Sequence, residues 1–231
     1  MDAPMQSRPF LKSRGMKIPK HPDITTGRVR GALREGLYER KECDAVMKVV
    51  QQGDVVLELG AGIGYMSTLI ATKKPVEHVH AFEANPGLIP YIRSVHEANN
   101  VTNVTVHHAL LAPEDGEPAD FFVRKNFLAS SLDRESGPDS IVSVAKVEVR
   151  SLPKTLATIR PTVLVCDIEG AEAGLLASAD WSGLRAAVIE LHPQWIGQAG
   201  VQSVFDTMHK AGLTYFPKAS EAKVVTFRKG W

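Results

Sequence analysis

The chain has 231 residues, 44% hydrophobic and 23% charged, with two cysteines and a formal net charge of +1. A chain of this size buries roughly 70–75% of its unfolded surface and needs no staple, and Cys43 and Cys166 make neither a disulfide framework nor a metal spacing. No apolar run reaches the roughly 18–20 residues of a membrane span and no signal-peptide pattern opens the sequence, so a soluble cytoplasmic protein is expected.

Residues 1–30 contain Pro4, Pro9, Pro19 and Pro22 and show no sustained periodicity. Residues 1–41 carry ten Lys or Arg against four acids. The expectation is a solvated, partly disordered basic arm over 1–30 and a single domain over 31–231. The alternative is an arm that guides an anionic substrate or closes over a pocket. Without interleaved aromatics or a binding module, nucleic acid is disfavoured as a partner. From Gly31 to Val50 the pattern is helical, with Leu33, Leu37, Val46, Met47 and Val50 as apolar positions.

Val55–Leu59 reads as a buried strand and runs straight into Gly60-x-Gly62-x-Gly64. Met66, Leu69 and Ile70 then supply a helix face that ends near Lys73-Lys74-Pro75. His78–Phe82 is a second strand with Glu83 at its end, Asn85-Pro86 opens a helix to about Asn99, and Val104–His108 is a third strand. This β-α-β-α-β succession implies a parallel, doubly wound sheet. Ala119–Val123 and Val144–Arg150 alternate like strands and read as a β-excursion or as extra strands near the mouth of the sheet. A helix at Leu152–Ile159, a strand at Thr162–Cys166, a helix at Ala171–Ala177 and a strand at Ala186–Leu191 follow. Val201–Ala211 reads as a helix, and Leu213–Phe216 with Val224–Phe227 as a terminal hairpin.

In an open α/β sheet the ligand sits outside the carboxyl ends of the strands. A dinucleotide fingerprint would put its third glycine at position 65, where this chain has Tyr65. Glu58-x-Gly60-x-Gly62-x-Gly64 instead suits S-adenosylmethionine, which has no pyrophosphate to seat on a helix N-terminus. Glu83 is placed to accept both ribose hydroxyls, or else is a surface acid at a helix start. Glu58, inside a strand, needs a partner for its charge; it anchors the cofactor's ammonium or belongs to a structural network. The segment His108-Ala109-Leu110-Leu111 is the expected adenine wall or ordinary core, and His107 and His108 read as structural.

Past the fourth long strand lies Asp167-Ile168-Glu169-Gly170-Ala171-Glu172. Asp167 and Glu169 share a side if the strand continues, and Glu172 is accounted for as a helix-start acid. The next strand ends Ile189-Glu190-Leu191-His192-Pro193. His192 is a candidate general base because its ordinary pKa of about 6.5 lies near working pH. Asp167, Glu169 and His192 are therefore the candidate residues for acceptor positioning and proton removal; a divalent ion bridging Asp167 and Glu169 is an alternative way to acidify a hydroxyl, but their spacing specifies no metal.

At these residues the chain resembles the FkbM family of S-adenosylmethionine-dependent methyltransferases. The likeness lies in Val55–Tyr65, Ala81-Phe82-Glu83-Ala84-Asn85-Pro86, Ser130-Ser131-Leu132, Val147–Leu152, Asp167–Glu172 and Val188–His192, in family order over about residues 36–195. The resemblance implies a class I methyltransferase fold, a Rossmann-like, mostly parallel seven-stranded sheet with a C-terminal antiparallel hairpin. It implies O-methylation of a hydroxyl on a sugar or other secondary metabolite, a small-molecule acceptor. It brings Tyr38 and Glu39 to the methionine end. With Glu58, Gly60, Ala61, Gly62, Gly64, Tyr65, Glu83, Ala84, Asn85, Ala109, Leu110 and Asp167 they make the expected cofactor set. The family often has Asp at the place of Glu58 and Lys-Ile-Asp at the place of Val165-Cys166-Asp167. Alternatives are N-methylation of an amine, protein or RNA, a nicotinamide oxidoreductase, and a non-catalytic binding protein. The basic arm and terminal hairpin are pieces from which a homodimer could be built.

Overall fold

A computed structural model of the chain describes residues 9–127, 130–132, 134–135 and 137–230. Residues 1–8 of the expected arm lie outside them, but residues 10–19 depart from the reading given above. Phe10–Ser13 (β1) and Met16–Pro19 (β2) pair as an antiparallel hairpin. Arg14 and Gly15 both take positive φ, 46° and 81°, as a two-residue type I′ turn requires. Leu11, Met16 and Ile18 alternate with Lys12 and Lys17, so one face of the ribbon is apolar and buried. Arg14, moreover, pairs with Asp44 at 2.8 Å.

The helix expected over 31–50 is two helices, Gly27–Glu35 (α1) and Arg40–Val49 (α2). Gly36 ends the first in the left-handed conformation, its N–H donating to the carbonyls of Ala32 and Leu33. Glu39 then takes φ 44°, a conformation non-glycine residues seldom hold, and this kink turns the start of α2 toward the strand ends.

The next units alternate as expected: Val55–Leu59 (β3), Tyr65–Lys73 (α3), His78–Glu83 (β4), Ile89–Ala98 (α4) and Val104–His108 (β5). Leu110–Ala112 (β6), Gly116–Arg124 (β7) and Ile141–Ser151 (β8) leave the main sheet and make a second, three-stranded one in the order β6-β8-β7. Leu152–Ile159 (α5), Val163–Cys166 (β9), Glu172–Ala177 (α6), Ala186–Glu190 (β10) and Pro193–Lys210 (α7) return to the alternation. Thr214–Tyr215 (β11) and Val224–Arg228 (β12) close it.

The main sheet runs β11-β12-β10-β9-β3-β4-β5. Only β12 is antiparallel to its neighbours, β10 and β11. From β3 the chain winds outward to β4 and β5, then returns to the other flank with β9 and β10. The switch in strand order therefore lies between β3 and β9, where the crevice of an open sheet forms. Strands buried on both faces read as unbroken apolar runs, which is why Val55–Leu57 and Val163–Cys166 stand out in the sequence. One core lies on the face covered by the hairpin and α1–α4, and a second on the face covered by α5–α7. Among the described residues no helix is long and apolar enough to cross a membrane.

Candidate active site

The glycine turn after β3 does three separate things. At Gly60, φ is +85° and an added Cβ would stand 2.0 Å from the carbonyl oxygen of Asp167. At Gly64 it would stand 2.8 Å from the Ile92 side chain of α4. At Gly62 it would meet nothing within 4 Å. The first and last glycines are thus demanded by strand and helix packing, and only Gly62 faces open space.

Glu83, 8% exposed at the end of β4, spans this turn. One carboxylate oxygen accepts the N–H of Gly62 at 2.8 Å and the other that of Asn85 at 2.7 Å. Burial pushes its pKa up to about 7. A carboxylate has about four lone-pair sites, so two remain for hydroxyl donors in the cleft.

Glu58 is 1% exposed in β3. Its Oε1 accepts the N–H of Ser67 at 3.1 Å, while Oε2 has no partner. Burial raises this group to about 8. It lines a narrow space, about 10 Å³, with Glu39, Glu42, Asp167 and Glu190. That is room for one water-sized group. Burial, then the Asp167 carboxylate, raises the pKa of Glu39.

Above this space opens a cleft of about 580 Å³, within the roughly 300–1,000 Å³ of small-molecule sites. Tyr38 and Glu39, Gly60 and Gly62, Glu83–Asn85, Ala109–Leu110 and Asp167–Ala171 line it. Phe121, Phe127, Ser130 and Leu132 extend the apolar wall. These last four come from β7 and the segment after it, so the β-excursion expected near the mouth of the sheet supplies part of the cleft wall. A larger groove of about 960 Å³ across α6 and α7 collects none of the strand-end carboxylates.

The structure does not bring every expected residue to the cleft. Ala61 and Gly64 stand behind the turn. Tyr65 is wholly buried, its hydroxyl 2.6 Å from Ser13 Oγ and its ring edge-on to Tyr38 at 5.1 Å. It supports Tyr38 instead of meeting a ligand. His107 stacks on Phe82 at 4.3 Å and His108 reaches the Ala84 carbonyl at 3.2 Å, both in structural roles.

The acidic end is assembled by β9 and β10. His192 is 3% exposed, with Nε2 at 3.7 Å from Asp167 Oδ1 and 3.6 Å from Glu169 Oε2. Burial resists a charge on this imidazole, but Glu172, Glu169 and Asp167 outweigh it and raise its pKa. Partial burial, then Glu190, raises Asp167 to about 7. Glu172 stands in the first turn of α6 as expected, but with a role beyond helix capping. It is fully buried, and its Oε1 accepts the backbone N–H of His192 at 2.7 Å. Long-range packing of α6 on the end of β10 sets this role, so local sequence carried no sign of it. Glu190, whose place at the end of its strand puts a carboxylate beside the cleft, lines the narrow space, and Glu42, which the sequence does not single out, joins it. No Lys or Arg is among the described residues lining either space. Such a site suits a ligand carrying positive charge.

A family model described as the methyltransferase FkbM domain matches residues 58–217. No curated protein matches the sequence. Among solved structures, M. jannaschii TYW2 in complex with AdoMet is 16% identical, with a TM-score of 0.51 over 95% of this chain and 85% of that one. Trm5b from Pyrococcus abyssi is 14% identical with a TM-score of 0.50; 95% of this chain spans 55% of that one. The ribosomal protein L11 methylase of Lactobacillus delbrueckii subsp. bulgaricus is 8% identical with a TM-score of 0.50, over 92% of this chain and 86% of that one. At these identities the likeness is one of fold.

Proposed function

The chain belongs to the methyltransferase FkbM domain family, and on that premise we propose that this S-adenosylmethionine-dependent methyltransferase methylates a hydroxyl oxygen of a small molecule. When bound, the cofactor supplies a methyl group already activated on a positively charged sulfur. The residues present suit it. Glu58 offers an unpartnered carboxylate oxygen beside Glu39, where an ammonium group can be held. Glu83 keeps lone pairs for two ribose hydroxyls, and Ala109, Leu110 and Phe82 give a planar apolar wall for adenine. The nicotinamide alternative has no support from this family.

The observation that carries the oxygen-acceptor reading is that Asp167 and Glu169 line one end of the cleft with the buried His192 behind them, 3.7 and 3.6 Å away. With the sulfonium already reactive, the protein must align an acceptor and take up its proton. Asp167 and Glu169, on one side of the loop after β9, orient the hydroxyl. A proton released there is received by groups whose charges already face one another. A small acceptor fits the cleft of about 580 Å³, which it would share with the cofactor. Phosphate-rich acceptors are disfavoured because the described lining offers no Lys or Arg to neutralise them.

The test is calorimetry with S-adenosylmethionine, then product detection against panels of hydroxylated and amino acceptors. Binding with turnover of hydroxyl acceptors, lost in Asp167→Ala and His192→Ala, is the expected result. Methylated amines alone, or full turnover in those variants, would overturn the oxygen reading.

A further inference from the structure

We propose that Asp167, Glu190 and His192 form a divalent-cation site at the acceptor end of the cleft, with Glu172 as the residue that aims the imidazole. The role given to the ion rests on the methyltransferase reading above; its binding does not. One ligand atom from each of the three residues lies within 4.8 Å of the others. The backbone makes this meeting unavoidable. β9 and β10 run parallel with Cys166 opposite Ile189, so the next residues, Asp167 and Glu190, leave adjacent strand ends together.

His192 supplies the independent observation. Its side chain is 4% exposed, with Nε2 directed at the carboxylates and Nδ1 buried without a hydrogen-bond partner among the described residues. The distances to Asp167 and Glu169, 3.7 and 3.6 Å, are too long for hydrogen bonds. The Asp167 distance is close to the separation of two donors sharing one ion, which for bonds of roughly 2.1 Å at 90–120° is roughly 3.0–3.6 Å. On the other side of the ring, Nδ1 stands 3.4 Å from Oε1 of the fully buried Glu172, within reach but not hydrogen-bonded. That same oxygen holds the His192 backbone N–H at 2.7 Å. A carboxylate behind the far nitrogen is how metal-bound imidazoles are oriented and kept in the tautomer that leaves the ligating nitrogen bare.

The described lining offers no competing cation. Glu39, Glu42, Glu58, Asp167, Glu169 and Glu190 line these spaces without a Lys or Arg. Two carboxylates and one imidazole are a donor set for Mn²⁺ or Zn²⁺, with positions left for water or a ligand oxygen. An acceptor hydroxyl bound there would be acidified. Its O–H proton would pass to Glu169, whose side chain is 50% exposed and lies outside the ligand set.

The experiment is Mn²⁺ titration of the purified full chain, first stripped with a chelator, read by the electron paramagnetic resonance of free Mn²⁺. One equivalent should bind to the unmodified protein. Glu190→Gln and His192→Gln should lose that equivalent, and Glu172→Gln should weaken it roughly 10–100-fold. No bound Mn²⁺, or equal binding by Glu190→Gln, would overturn the proposal. Should the variants fail to fold by circular dichroism, Mn²⁺ broadening of the His192 imidazole resonance in the unmodified protein decides instead. An unbroadened His192 overturns the site. Calorimetry with S-adenosylhomocysteine in chelator separates the two readings. Cofactor binding without Mn²⁺ binding sinks only the ion, and the converse sinks the methyltransferase reading while the ion stands.

Discussion

Glu58→Gln keeps the shape of a side chain that is 1% exposed while removing the charge that its surroundings resist. The remaining amide oxygen still accepts the Ser67 N–H, which lies 3.1 Å from the carboxylate in the unmodified chain, and the new amide nitrogen takes the place of the unpartnered Oε2. In the folded protein Glu58 holds its proton up to about pH 8, against an ordinary value of 4.5. Between those values the unfolded chain has lost the proton and the folded chain keeps it, so the folded state binds more protons and stability falls as pH rises. The slope from this group is about 1.4 kcal/mol per pH unit, reaching roughly 5 kcal/mol as an upper bound once the folded group ionises. Glutamine does not titrate and lacks this fall. Urea unfolding of both proteins from about pH 5 to about pH 8 should show near-equal stability at the acid end and a variant advantage of about 2–5 kcal/mol at the other. Glu83 and Asp167 titrate in both proteins, so the difference isolates Glu58. The same variant should bind S-adenosylmethionine about tenfold or more weakly, having lost a partner for the ammonium. A difference between the two proteins that stays constant across this range would refute the reasoning.

Two further perturbations separate packing from binding. Gly60→Ala places a Cβ 2.0 Å from the Asp167 carbonyl at a φ of +85° and should cost about 2–5 kcal/mol of stability in urea unfolding. Gly62→Ala meets no neighbour and should cost about 1 kcal/mol while weakening cofactor binding in calorimetry; equal stability losses in the two would contradict the assignment. Glu83→Gln sets an amide donor against one of the two backbone N–H groups that Glu83 now accepts. Its cofactor affinity should drop at least about tenfold, roughly 1.4 kcal/mol, and unchanged affinity would remove the ribose role.

Much of this arrangement was legible because the main sheet is buried on both faces. Runs such as Val163–Cys166 announce themselves, and the rule that ligands gather past strand ends picked out Gly60, Glu83, Asp167 and His192. The β1–β2 hairpin was missed for the opposite reason. Its strands are four residues each, too short for alternation to rise above the scattered lysines, and its burial depends on α1 and α4. The break between α1 and α2 had a local mark in Gly36, a natural helix end, but the positive φ of Glu39 follows from packing. Glu172 and Glu42 were hidden because each sits in the first turn of a helix. There an acid is ordinary, and only contacts with distant strands give it another role.

The three glycines after β3 carry a consequence for relatives that have given up catalysis. Gly60 and Gly64 answer to the carbonyl of Asp167 and the side chain of Ile92, constraints that outlive any ligand. A descendant that no longer bound its cofactor would still be held to both, and its sequence would go on looking like that of an enzyme. Gly62, held only by its φ of +53° and with open space where its side chain would be, would be the first of the three released to drift. In such a lineage the middle glycine is the informative letter, and the two flanking it report only that the fold survives.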